Sequence, residues 1–284
     1  MEYNISDLLA KDLAVGIGEF KIGVPDWAFK PDAWSNALLR GLRNRASEWS
    51  GKRVWEIGVG TGINQVALGN WVPDCLRYYS DFDHRCTELA ERNTVRAGIH
   101  TSSSGHPLIG RWDLLRRVDM EERAPFVDVI FGCLPQVPIP ALGDNEGADD
   151  RLAHYYDPRK YPDSHLHVCG LGLNDALLHR ARHILPERGE IILNLGGRPG
   201  LGRLQDMFCA NGFSSEVLHQ ETIQQHAGTT LRTLVQQEQS GGSKFEFFSD
   251  PEHCHGISAA AAEALRQREE PVYHRIYVMI GRPI

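Results

Sequence analysis

The stretch Arg53-Val-Trp-Glu-Ile-Gly-Val-Gly-Thr-Gly62 constrains this chain more than any other. Its first half is a short apolar run that reads as a buried strand. Its second half sets glycines at 58, 60 and 62, and the segment from Gly62 to Trp71 reads as a helix. Alternate glycines let the backbone turn sharply and leave the main chain open to close approach. The helix behind them offers first-turn N–H groups without intrahelical partners. Strand, glycine turn and helix in this order open an α/β unit. The spacing used for dinucleotide pyrophosphates, G-x-G-x-x-G, would need its third glycine at position 63, where this chain has Ile63.

The alternation continues along the chain. Leu76 to Ser80 reads as a strand ending in Asp81, His84 to Ala97 as a helix and Phe126 to Phe131 as a strand. Leu171 to Leu185 reads as a helix, Glu190 to Leu195 as a strand, and Leu201 to Ala210 as a helix stopped by Asn211-Gly212. Ser215 to Gln220 and Ile276 to Ile280 are late strands, and Asp32 after Pro31 is suited to cap a helix running to Trp49. Strands alternating with helices imply an α/β fold, a mainly parallel sheet with helices on both faces. With 284 residues and 42% hydrophobic content the chain is long enough to bury a large core. Lys+Arg is 30 against Asp+Glu 37, a net charge of −7, so phosphate-backbone attraction is not its main business and no nucleic-acid partner is expected. No apolar run approaches the roughly 18 residues of a membrane span, so no membrane partner is expected. The opening MEYNISDLLAKDLA does not read as a signal peptide.

Six cysteines are scattered without a CxxC pair, which fits reduced thiols and a cytoplasmic protein. His165-Leu-His167-Val-Cys169 and His253-Cys254-His255 lack the paired spacing of a structural zinc site, and no metal is expected. Two segments break the rhythm. Ala141 to Cys169 is acidic and then rich in Tyr and His, and Gln236 to Gly256 is polar around Gly241-Gly242. Segments this long without regular structure suggest lids, with disorder as the alternative.

The spacing Glu56-x-Gly58-x-Gly60-x-Gly62 resembles the S-adenosylmethionine (SAM) loop of class I methyltransferases, and that resemblance implies a Rossmann-like, mainly parallel seven-stranded sheet. It assigns residues 1–50 to an N-terminal helical or lid segment and 51–284 to a SAM-dependent methyltransferase domain with a long insert at 141–169. Asp81, at the end of the second strand, is expected where ribose hydroxyls are held and supplies two acceptor oxygens, with Asp83 as the local competitor for that role. Asp113 falls where the class places an acceptor for the adenine amino group, with Trp112 as a stacking partner. Thr61, Asn64, Phe82 and Cys133 complete the expected cofactor-binding set, and the product would be S-adenosylhomocysteine (SAH).

Amino-group methyltransferases carry Asn-Pro-Pro-Tyr where this chain has Cys133-Leu134-Pro135-Gln136. Cysteine is a poor acceptor for an N–H group, so a softer acceptor such as a thioether fits better. Gly132-Cys-Leu-Pro-Gln-Val137, Asn194-Leu-Gly-Gly-Arg-Pro-Gly200 and Lys244-Phe-Glu-Phe-Phe248 are similar to blocks of methionine S-methyltransferases, with support from Val24-Pro-Asp-Trp27 and Gly170-Leu-Gly-Leu173. The resemblance runs from about Val24 onward. Plant members carry a long additional C-terminal region not in this sequence, so a free-standing bacterial-type enzyme is implied. The family makes S-methylmethionine, which in some bacteria leads to dimethylsulfoniopropionate. The expected partner is a small molecule, L-methionine, and a homodimer is compatible with the reading. A thioether has no proton to lose, so no general base is expected; Cys133, Leu134 and Pro135 would position the reactants. Arg198 would take the substrate carboxylate as a bidentate fork, with Asn194 at the amino-acid end. Tyr155, Tyr156, Tyr161 and Tyr273 are candidate aromatic faces for a sulfonium. The alternatives are methylation of an amino or carboxyl group on another small molecule, a protein or RNA N-methyltransferase, and a SAM-binding regulatory protein without catalysis.

Overall fold

Val54, Trp55, Glu56 and Ile57 are all buried, as a strand covered on both faces requires. They form β1 (Arg53–Ile57) in a computed structural model describing residues 1–15, 17–99, 108–117, 126–138, 155–161, 164–226, 231–241, 243–252 and 255–284. The other long strands of the central sheet are β2 (Leu76–Asp81), β3 (Gly110–Asp113), β4 (Val129–Gly132), β5 (Glu190–Gly196), β6 (Phe213–Gln224) and β7 (Tyr273–Pro283). They run in the order β3-β2-β1-β4-β5-β7-β6. The first five of that order are parallel, and β7 is antiparallel to both β5 and β6. This is the expected Rossmann-like architecture. Among the described residues, three two-residue strands, Arg116–Arg117, Phe247–Phe248 and Gly256–Ile257, extend the sheet to ten, where seven were expected. Pieces this short show no periodicity in sequence.

The longer helices among the described residues are α1 (Ala33–Ala46), α2 (Ile63–Trp71), α3 (His84–Arg96), α4 (Gly172–Ala181), α5 (Leu201–Ala210), α6 (Arg232–Gln239) and α7 (Ala259–Gln267); two four-residue helices, Ile5–Leu8 and Lys11–Ala14, precede them. Asp32 caps α1 as expected: its carboxylate accepts from the Trp34 and Ser35 amides, and the Ser35 hydroxyl accepts from the Asp32 amide. On one sheet face, Leu38, Leu39 and Leu42 of α1 share a core with Val54, Phe131, Ile192 and Val278. The contact is close enough that a β-carbon on Gly41 would lie 2.3 Å from Val278 Cγ1. Ile5, Leu13, Ile17 and Ile22 join the same core, so the first fifty residues pack into the sheet domain. The other face is filled by Leu173, Leu177 and Leu178 of α4 and Leu204, Met207 and Phe208 of α5.

The polar stretch from Gln236 is more structured than its composition suggests. It begins in the last turns of α6, and the Glu238 carboxylate accepts from the Phe245 amide (3.0 Å) and the Ala259 amide (2.8 Å), pinning the segment from both sides. Most of the 141–169 insert lies outside the described residues. What is described pairs Tyr155–Tyr156 with Val137–Pro138 and forms a 3-10 helix at His165–Cys169. Among the described residues no helix is long and apolar enough to cross a membrane.

Candidate active site

The chain crosses from β3 to β4 by jumping back over β2 and β1, so the sheet changes direction between β1 and β4. Open α/β sheets bind ligands at the C-terminal strand ends beside such a point. Here those ends carry Gly58, Asp81, Asp113 and Cys133. Gly58, Gly60 and Gly62 have φ of 77°, 52° and 77°. A β-carbon on Gly62 would sit 2.8 Å from Ala90 of α3, whereas one on Gly60 would meet nothing within 4 Å. Gly62 therefore serves packing, and Gly60 leaves bare main chain on an open side.

Asp81 is tied to that turn: one carboxylate oxygen accepts from the Gly60 amide (3.1 Å) and the other from the Asp83 amide (3.0 Å). Burial pushes its pKa up to about 6. Each oxygen keeps acceptor capacity, which is what neutral vicinal hydroxyls require. Glu56 lies behind the loop and accepts from Asn64 Nδ2 and Gln65 Nε2, both at 2.7 Å. Burial, with the Asp81 charge adding to it, pushes Glu56 up to about 8. The Thr61 carbonyl accepts from Asn93 Nδ2 (2.9 Å), which also bonds the Gly23 carbonyl. Phe82 is exposed beneath Lys160 Nζ, 4.5 Å from the ring centroid. The Asp113 carboxylate accepts from the Tyr161 hydroxyl, and its carbonyl accepts from Arg180 Nη1 (2.9 Å). Trp112 has no open face for an adenine. It is 1% exposed and packs edge-on against Trp55, ring centroids 5.0 Å apart, because strand alternation turns it into the core while Asp113 stays at the rim.

On the acceptor side, β4 ends at Gly132, where a β-carbon would meet the Ile57 carbonyl oxygen at 2.6 Å. Cys133 follows. Its sulfur accepts from Asn194 Nδ2 (3.4 Å), and burial pushes the thiol up to about 12. Leu134 is buried, with Cδ2 3.2 Å from where a Gly58 β-carbon would be, so it bridges the two halves of the site; Pro135 beside it is half-buried. Gln136 braces the end of β5: its Nε2 donates to the Asn194 carbonyl (3.0 Å) and its Oε1 accepts from the Gly196 amide (2.9 Å). Asn194 Nδ2 also donates to the Trp34 carbonyl (2.8 Å), while Asn194 Oδ1 is buried without a partner among the described residues. Arg198 is 8% exposed and makes no side-chain hydrogen bond or ion pair among the described residues; burial alone pushes it down to about 10. A β-carbon on Gly196 would lie 3.0 Å from Trp34 Cη2, 3.3 Å from Gln136 Oε1 and 3.4 Å from Arg198 Nη2.

The structure thus gathers Cys133, Leu134, Asn194 and Arg198 and adds Trp34 and Gln136, which the sequence reading missed. Among the described residues, Tyr161 is brought to Asp113, while Tyr156, Tyr161 and Tyr273 make no hydrogen bond or ring contact with Cys133, Asn194 or Arg198. The Tyr156 hydroxyl shares a hydrogen bond with His167 Nδ1 (3.0 Å), and Tyr273 sits beside Phe248 on the sheet face opposite its neighbour His274. The side chain of Tyr155 lies outside the described residues. Among those described, no cluster of three or more His, Cys, Asp or Glu residues is placed to hold a metal, and Cys75, Cys86, Cys133, Cys169 and Cys209 are free thiols; His253 and Cys254 are not described.

Against known proteins, the chain is 28% identical over 274 residues to the methionine S-methyltransferase of Zea mays, which covers 88% of the chain and 24% of the maize protein. It is 26% identical over 273 residues to that of Arabidopsis thaliana, covering 88% and 25%. The chain resembles the methionine S-methyltransferases. It spans about a quarter of the length of these relatives. No family model matches it. Among solved structures it is similar to a methyltransferase from Pyrococcus furiosus (TM-score 0.47, 14% identity, 94% of this chain and 93% of that one). Another is a precorrin-6y C5,15-methyltransferase from Geobacter metallireducens (TM-score 0.43, 11% identity, 90% and 93%).

Proposed function

We propose that this chain methylates the thioether sulfur of free L-methionine with SAM, giving S-methylmethionine and SAH, and that it stands at a first step towards dimethylsulfoniopropionate. The observation that carries the reading is Arg198: a buried guanidinium without a counter-charge among the described residues, just past the C-terminal end of β5 in the sheet whose β1 and β2 carry the bare glycine turn and Asp81. A buried cation is costly unless paired, and a carboxylate is the planar anion that matches the guanidinium fork. The similarity to methionine S-methyltransferases supports a carboxylate-bearing thioether as that anion.

The residues fit such a reaction. Bound SAM supplies a methyl group on a positively charged sulfur. Asp81 and the glycine turn would hold the nucleoside portion, and Arg198 would orient the acceptor so that its sulfur lies in line. Leu134 and the core behind it exclude water. Cys133 stays a thiol because burial raises its pKa, so it does not compete as a thiolate for the methyl group.

The deciding experiment pairs a residue with a substrate group. Arg198→Lys is expected to lower kcat/KM for methionine roughly 10- to 100-fold, the scale of a lost charged hydrogen bond, with SAM affinity little changed. Wild type is expected to use 3-methylthiopropylamine, which lacks the carboxylate, as poorly as the variant does. Equal use of the amine and methionine by wild type overturns the assignment. Asn194 Oδ1, unpartnered beside Cys133, favours a second reading in which an amine N–H is the acceptor. Single-turnover rates separate the two. A thioether gives a rate flat from about pH 6.5 to 9, while an amine that must lose a proton gives one rising about tenfold per unit.

A further inference from the structure

Asn194, Gly196 and Arg198 alternate along β5 and its continuation, and Gly196 lies opposite Ile276 in β7. Directly opposed residues share a sheet face and successive residues alternate, so His274, Ile276 and Val278 lie on the face of Asn194 and Gly196, beneath Trp34. His274 is 1% exposed, and neither ring nitrogen has a partner among the described residues. Its ring centroid is 5.6 Å from that of Trp34, whose Cη2 reaches the same Gly196 surface as the Arg198 guanidinium.

The donors and acceptors on this face are unequal. Arg198 and the Trp34 indole only donate. Both ends of the Gln136 amide are used on β5, and the Asn194 amide nitrogen is used on Trp34 and Cys133. Asn194 Oδ1 and one nitrogen of a neutral His274 are the acceptors left over. No carboxylate perturbs either Arg198 or His274; the charge that reaches His274 is that of Arg198, and together with burial it keeps the imidazole neutral. A zwitterionic α-amino acid complements this set, one end needing donors and the other an acceptor.

We infer that His274 is a specificity-determining residue of the acceptor pocket, the neutral acceptor for the α-ammonium of an amino acid whose carboxylate lies on Arg198. The inference rests on the carboxylate reading of Arg198 given above. It explains why an uncompensated imidazole is kept in the core: the ligand completes it.

The test compares L-methionine with 4-(methylthio)butanoate, the same molecule without its amino group, by calorimetry on the full chain saturated with SAH. Wild type is expected to bind methionine at least about tenfold more tightly, the scale of one hydrogen bond to a charged group. His274→Phe is expected to erase that preference by weakening methionine alone, and His274→Gln, which keeps an acceptor, to retain it. A preference that survives in His274→Phe overturns the inference, as does equal binding of both compounds by wild type; the carboxylate reading survives either result. Binding of neither compound overturns both. If the phenylalanine variant does not fold, 15N-histidine NMR on wild type decides. The His274 nitrogens are expected to shift with methionine and not with the butanoate, and an unmoved signal with methionine overturns the role.

Discussion

Glu56 holds a proton at neutral pH because burial, reinforced by Asp81, outweighs the two amide hydrogen bonds it accepts. A cation placed on the glycine turn would reverse that balance, since a nearby positive charge favours the carboxylate. SAM binding at pH 7 is therefore expected to release close to one proton, and binding of SAH, which lacks the sulfonium, distinctly less. Calorimetry in phosphate and in Tris reads the difference; identical enthalpies in both buffers contradict it, and Glu56→Gln should abolish the effect. That Glu56, Asp81 and Arg198 stand at or just past strand ends was legible in the sequence, because short apolar runs mark β1, β2 and β5. Trp112 was misread: its neighbour Asp113 is at the rim, but one step of alternation sends the indole against Trp55. His274 and Gln136 were not legible at all. Their roles depend on which residue of β7 faces Gly196, and on a side chain bridging to the next strand, neither of which leaves a local pattern.

The strand–turn–helix element at β1 and α2 uses two of its glycines differently, and substitution should separate the uses. Gly62→Ala puts a methyl group 2.8 Å from Ala90 at a φ of +77°, so it is expected to destabilise the fold by about 2 kcal/mol or more. Gly60→Ala meets nothing within 4 Å and carries only the strain of its φ of +52°, about 1 kcal/mol. It is expected to fold with a modest loss and to lose SAM affinity, because it covers bare main chain. Thermal unfolding alongside calorimetric titration reads both quantities; Gly60→Ala binding SAM like wild type removes that turn from the site. At this scale β1, β2, β5, α1 and α5 were legible to within a few residues. The strand pair Glu2–Asn4 with Lys21–Gly23 and the helices α6 and α7 were not. Each is short or polar-faced and is stabilised by tertiary contacts, as where Glu238 ties the start of α7.

For the whole molecule, raised carboxyl pKa values tie stability to pH. Asp81 (usual value 3.8, here about 6) and Glu56 (4.5, here about 8) hold protons in the folded chain that the unfolded chain has released. Their stabilising contribution is present at low pH and is lost as pH rises, Asp81's by about 6 and Glu56's by about 8. His274 works in the opposite sense, but only below its usual 6.5. Between pH 6.5 and 8 the unfolding free energy should therefore fall by up to roughly 1.4 kcal/mol per unit through Glu56, and urea titrations of Glu56→Gln should show a flatter line. Parallel slopes would exclude Glu56 as the cause. The position of β7 has a consequence for synthesis. It is the last sheet strand to leave the ribosome, yet it lies inside the sheet, between β5 and β6. A nascent chain can fold its glycine turn while β5 and β6 still show bare edges and α1 still lacks Val278 beneath it. During that interval the face of Asn194 and Gly196 lacks His274, Ile276 and Val278, and the bare edges of β5 and β6 are open to other unpaired strands until residues 273–283 arrive.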